Sequence, residues 1–225
     1  MADIFRLPKF SLSFFRTQIA EGSMLPSGKM PYEVFIPAYR DEILSDTVMV
    51  YGNVDEVELV LNGKTIRRQT ADKGPDSDYI SVPNGGNGKN LHFPPFTFYG
   101  VPKERGVLKA VGYHQGKKVA EYTVKTPGVP ERLDITYFES GKPATKNDLL
   151  IVYVRMLDKQ GVLCPVNGIP VELSVQGGEI VGPTSYPLEA GVASFLVRTG
   201  EISKININAT GKGFSTRKSL KVGKE

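Results

Sequence analysis

The chain has 225 residues, 40% hydrophobic and 23% charged, a globular composition that excludes wholesale disorder. Its 28 basic and 24 acidic side chains leave a scattered net charge of +4, which excludes the concentrated basic surface of a nucleic-acid binder, and no run of about 18 apolar residues occurs to span a membrane. One cysteine allows no intrachain disulfide, while 24 Gly and 16 Pro supply the turn punctuation of short strands, in a length that suits about two domains.

Residues 1–30 differ from the rest. Leu7, Phe10, Phe14, Phe15 and Ile19 recur at helical spacing, and Pro8 suits a first helical turn. A helix of about 12 residues is not stable alone in water, so its apolar stripe needs a surface to cover it. Self-association or folding back on the following domain would meet that need. Arg6, Lys9 and Arg16 interrupt every apolar run before it reaches the roughly 7–15 residues of an export signal, so none is expected here. Residues 20–31 read as a linker.

From residue 31 to 127 the pattern is that of strands. Thr47 to Tyr51 is rich in β-formers, and Val57, Leu59 and Leu61 alternate onto one face. Asn62-Gly63 supplies the two positive-φ positions of a tight hairpin, with Lys64 to Arg68 returning as the partner strand. Residues 71–90 read as a long loop. Further strands are expected at Pro95 to Tyr99, Val107 to His114 and Lys118 to Lys125, the last two joined at Gln115-Gly116. Thr126-Pro127-Gly128-Val129-Pro130 forms a stiff junction. Within 128–225, strands are expected near 132–138, 149–157, 170–175, 192–198, 203–210 and 217–222. Frequent strands without a helical period point to a sandwich rather than a parallel α/β sheet.

Three stretches carry a resemblance. The first is Asp3-Ile4-Phe5-Arg6-Leu7-Pro8-Lys9-Phe10-Ser11, with Phe14-Phe15-Arg16-Thr17-Gln18. The second is Val50-Tyr51-Gly52-Asn53-Val54-Asp55-Glu56-Val57-Glu58-Leu59-Val60-Leu61-Asn62-Gly63-Lys64. The third is Pro94-Pro95-Phe96-Thr97-Phe98, continued by Gly106-Val107-Leu108-Lys109-Ala110-Val111-Gly112-Tyr113. Together they resemble the C-terminal end of family 2 glycoside hydrolases, the β-galactosidase group, and residues 131–222 are similar to a bacterial Ig-like domain found there. The resemblance implies an all-β fold: two tandem immunoglobulin-like β-sandwiches, at 31–127 and 128–225, behind a short N-terminal helix. Residues 1–30 would be the remnant of the last helix of a catalytic (β/α)8 barrel, plus linker. The family's two catalytic glutamates would then lie upstream, and no residue of this chain inherits their role. The expected partner is the barrel of a parent enzyme, or a second copy through the N-terminal helix. A stand-alone Ig-like adhesin, which would carry an export signal and further repeats, or a carbohydrate-binding protein, which would carry a concave pocket with paired acids or an aromatic strip, is the alternative.

Other candidate chemistry is thin. Glu56 and Glu58 share a strand face, but they flank core positions beside a hairpin and read as exposed surface. His92 and His114 fit no metal spacing, and no GxSxG elbow occurs. Gly85-Gly86-Asn87-Gly88 lacks the lysine of a phosphate loop. Asp72, Asp76 and Asp78 share a loop without EF-hand spacing. Cys164 sits in an apolar run and reads as a small core residue. Lys212, Arg217, Lys218, Lys221 and Lys224 read as a solvated strand face. Tyr79 and Tyr99 are the freer aromatic candidates for a carbohydrate contact, although packing is their ordinary role. No catalytic, cofactor-binding or metal residue is assigned from sequence.

Overall fold

The computed structural model describes residues 6–38, 45–72, 91–138 and 143–223. The chain divides into two compact units, Met1–Thr126 and Pro127–Glu225. Among the described residues the fold is all-β apart from one short helix.

The first unit opens with helix α1 (Phe10–Thr17), followed by β1 (Met24–Leu25), β2 (Gly28–Lys29), β3 (Val34–Phe35), β4 (Val48–Gly52), β5 (Glu56–Leu61), β6 (Lys64–Thr70), β7 (Phe96–Phe98), β8 (Val107–His114) and β9 (Lys117–Lys125). A sheet of order β3-β4-β7 faces a sheet of order β6-β5-β8-β9. Strict alternation along β5 sends Val57, Leu59 and Leu61 into the core, where they meet Val50, Phe96, Phe98, Leu108 and Ala110. At the β5–β6 turn Asn62 and Gly63 take φ of 52° and 81°, as a type I′ hairpin requires. The Asn62 side chain then bridges to the start of β8. Its Oδ1 accepts from Val107 N at 2.9 Å and its Nδ2 donates to the Arg105 carbonyl at 3.1 Å. Gly106 beside it takes a φ of 135°, a conformation that side chains with a Cβ rarely adopt, and a Cβ there would also displace the Asn62 amide.

Two expectations for this unit are corrected. The helix is shorter than its apolar stripe: Lys9 is extended (φ −86°, ψ 157°) and caps it, so Pro8 precedes the helix and Ile19 follows it. Residues 20–31 are not a slack linker. They hold the β1–β2 hairpin, and Met30 is buried, exchanging backbone hydrogen bonds with Gly22 and Ser23. Strand β3, which no periodicity announces, pairs antiparallel with β4. Most of the expected 71–90 loop lies outside the described residues.

The second unit holds β10 (Pro130–Tyr137), β11 (Leu149–Asp158), β12 (Pro170–Gln176), β13 (Gly178–Ile180), β14 (Ser185–Pro187), β15 (Val192–Thr199), β16 (Lys204–Gly211) and β17 (Phe214–Lys221). Its sheets have the orders β10-β11-β15-β13 and β14-β12-β16-β17. Leu150, Val152, Val154 and Met156 from one sheet meet Val171, Leu173, Ile205 and Ile207 from the other. Strand β12 ends at Gln176, immediately before Gly177-Gly178. The chain passes there from β12 in one sheet to β13 in the other, and a Cβ on Gly178 would fall 2.4 Å from the Arg198 carbonyl. Strands β13 and β14 are three residues each, too short to show alternation in sequence.

Candidate functional site

The first unit carries a cleft of about 320 Å³ where three elements converge. Helix α1 contributes Ser13 and Arg16, β3 and the residues before it contribute Tyr32, Glu33, Val34 and Phe35, and edge strand β9 contributes Ala120, Glu121 and Tyr122. The helix reaches this position because its apolar side chains find partners on its own sandwich. Phe10 meets Phe35 edge-on at 5.6 Å, and Phe14 meets Tyr51 at 5.0 Å. Phe15, at the same helical stripe, stays 49% exposed.

Polar contacts fix the cleft wall. Arg16 Nε lies 3.0 Å from both Glu33 carboxylate oxygens, and its guanidinium also pairs with Oε1. The Glu33 hydrogen bond raises the Arg16 pKa, partial burial opposes it, and the Glu33 charge adds to the rise. Behind them sits Asn53, buried within β4's following turn. It accepts from Glu33 N at 2.6 Å and donates to the carbonyls of Ile19 and Pro31 at 2.9 and 3.0 Å. On β9, Glu121 accepts from Lys118 at 2.6 Å and lies 3.8 Å from Lys109, on the sheet face opposite Tyr122. The Lys118 hydrogen bond, helped by the Lys109 charge, holds the Glu121 carboxyl below its ordinary range.

The residues singled out from sequence do not converge on this cleft. Glu56 pairs with Arg68 at 2.6 Å, and Arg68 lies 3.7 Å over the Tyr113 ring. Glu58 accepts from Thr65 at 2.6 Å and from Tyr113 Oη at 2.7 Å, and these donors lower its pKa. Both carboxylates are therefore tied into a surface network on the open sheet face. Glu58, with its pKa lowered, is not set up as a proton donor, which needs a raised pKa. His114 stacks on Tyr32 at 5.0 Å and lies 3.1 Å from Asp55, whereas His92 meets Phe93 edge-on. Asp72 caps Thr97 through both its backbone N–H and its hydroxyl, while Asp76 and Asp78 lie outside the described residues. Tyr99 is half-buried, and Tyr79 lies outside the described residues, as does the Gly85–Gly88 stretch. Cys164 is 2% exposed in the second core, where burial pushes its thiol pKa up. Lys212, Arg217, Lys218 and Lys221 lie exposed in or beside edge strand β17; Lys224 lies outside the described residues. The cleft residues themselves escaped sequence reading. Arg16 registers as a charge interrupting an apolar run and as part of the first resembling stretch, with no site role, and Tyr32, Glu33 and Glu121 belong to no motif.

Comparison with known proteins places the chain. The family described as "Domain of unknown function (DUF4982)" matches residues 45–120. A β-galactosidase of Rhizobium radiobacter is 30% identical over 129 residues, covering 56% of this chain and 92% of that protein. The chain belongs to glycoside hydrolase family 2. Its likeness is to the C-terminal region of that family. A β-galactosidase of Thermoanaerobacter pseudethanolicus is 30% identical over 211 residues, covering 88% of this chain and 26% of that protein. The chain thus spans about a quarter of the length of this relative. Among solved structures, a β-glucuronidase from family 2 superposes with a TM-score of 0.76 at 21% identity, covering 97% of this chain and 22% of that chain. At that identity the likeness concerns the family 2 fold alone.

Proposed function

We propose that this chain is a non-catalytic accessory region of a family 2 glycoside hydrolase, serving as scaffold for a parent enzyme that hydrolyses O-glycosyl bonds. The observation that carries this reading is the state of the strand carboxylates. Donors from Thr65 and Tyr113 lower the Glu58 pKa, the opposite of what a general acid of glycoside hydrolysis needs, and Glu56 is committed to an ion pair with Arg68. Its all-β architecture supports the same reading, since it supplies two sandwiches in a chain about a quarter as long as a related β-galactosidase.

The partner of this scaffold is the catalytic domain of the parent enzyme. The exposed Phe15 ring on α1 offers that domain an apolar contact. Incubating the purified chain with p-nitrophenyl β-D-galactoside and p-nitrophenyl β-D-glucuronide tests the reading. No release of nitrophenol above background is expected. Turnover that survives repurification and is lost in Glu58→Gln would overturn it.

A further inference from the structure

We propose that the outer face of the sheet β10-β11-β15-β13 binds a second copy of this chain. This assignment goes beyond the scaffold reading and is independent of it, because it concerns a surface of the second unit and no chemistry.

The two sheets of the second unit turn different surfaces outward. On β12, β16 and β17 the residues that alternate with core positions form polar rows. Ser174, Asn208 and Arg217 lie side by side, and so do Gln176, Asn206 and Ser219. The other sheet does the reverse. Ile151 of β11 lies opposite Leu196 of β15, and the Val181 N–H donates to the Leu196 carbonyl, so three apolar side chains cross three strands in one row. Leu149 adjoins that row and is 51% exposed, while Val181 is 37% exposed. Adjacent apolar side chains at the outward positions of a sheet mark a surface that another surface covers.

The charges around this row select the occupant. On one side of it, Arg198 of β15 pairs with Glu179 of edge strand β13. On the other side, two same-face positions from Ile151, Arg155 of β11 pairs with Asp134 of edge strand β10. Each pair has its base on an inner strand and its acid on an outer one, and the two pairs occupy diagonally opposite corners of the face. A two-fold axis lying in the face, midway between the corners, sets Glu179 of one copy over Arg155 of the other, and Arg198 over Asp134. The face is thus complementary to itself, as an isologous contact requires. At about 4.8 Å between strands and 3.4 Å per residue, four strands over the length from Leu149 to Arg155 cover roughly 450 Å². A standard stable interface takes about 800 Å² from each partner, so this dimer is weak and reversible.

The test is analytical ultracentrifugation of the 225-residue chain from micromolar to millimolar concentration. A reversible monomer–dimer equilibrium is expected, with a Kd below about 1 mM. Arg198→Glu combined with Glu179→Arg keeps an ion pair within each copy but sets like charges across the contact, and should raise the Kd at least tenfold. Adding Asp134→Arg and Arg155→Glu restores opposite charges across the contact and should recover most of the lost affinity. If the fourfold variant does not fold, Val181→Lys at an exposed position should raise the Kd by the same factor. A chain that stays monomeric up to about 1 mM, a dimer indifferent to these substitutions, a dimer abolished instead by Phe15→Asp on α1, or no recovery in the folded fourfold variant would each overturn the proposal. Nitrophenol release in the separate hydrolysis assay bears on the scaffold reading alone.

Discussion

Arg16 on α1 grips Glu33 side-on, with Nε 3.0 Å from each carboxylate oxygen, and so fastens the helix to the strand it covers. The pair is partly exposed, which limits its contribution to about 1 kcal/mol. Arg16→Ala should lower the urea midpoint of the first unit slightly, and the difference from wild type should shrink in 1 M salt, where the Debye length falls to about 3 Å. Equal loss at low and high salt would show that the guanidinium acts through packing instead.

Asn53 is a stronger fastening. It is 3% exposed and serves three backbone groups, on Glu33, Ile19 and Pro31. Asn53→Ala leaves those groups without their partner and should cost about 2–3 kcal/mol, more than Arg16→Ala. Hydrogen exchange should accelerate at Glu33. Because the contacts lie wholly in the first unit, protection of β11 and β15 should not change.

Asp158 plays the matching role in the second unit. It is 4% exposed and accepts backbone hydrogen bonds from Gly128 at 2.7 Å, Val162 at 2.8 Å and Gln160 at 2.9 Å. Burial alone would raise its pKa; the donors from Gly128, Val162, Gln160 and Gly161 outweigh it, and the pKa is lowered from its ordinary 3.8. A folded-state pKa below the unfolded one contributes stability that is present above the unfolded pKa. That stability is lost as pH falls through the folded value. Acid unfolding of the second unit should therefore steepen below about pH 4. Asp158→Asn should cost about 2 kcal/mol at neutral pH and flatten the acid limb. An unchanged limb in the variant would assign the transition to other carboxylates.

Gly178 marks the passage between sheets. A methyl group there meets the Arg198 carbonyl at 2.4 Å, a backbone atom that cannot turn away. Gly178→Ala should destabilise the second unit by about 1–3 kcal/mol in thermal or urea unfolding, through forced displacement of β13 from β15. Gly168→Ala provides the contrast: no neighbour lies within 4 Å, so its cost comes from the positive φ of 74° alone.

Much of this architecture was legible in sequence because strand signals are local. The alternation of Val57, Leu59 and Leu61, closed by Asn62-Gly63, reads directly as β5 and its hairpin. The β8–β9 hairpin is equally legible, through Gln115-Gly116, whose φ values are 50° and 75°. Strands β3, β13 and β14 were not legible, since two or three residues cannot establish a period of two. The helix was over-read because its apolar stripe continues in residues that are not helical. Ile19 lies past the C-cap, where its carbonyl serves Asn53. The cleft was invisible for a different reason. Ser13, Glu33 and Glu121 come from separate parts of the chain, and only tertiary packing brings them to one place.

Cys164 is the sole sulfhydryl in the sequence, it is sealed in the second core, and its pKa is raised. A thiol-specific dye should therefore stay silent on the native protein and report each opening of that core. The wild-type chain thus carries its own site-specific clock for unfolding of one half, with no engineered label to perturb it.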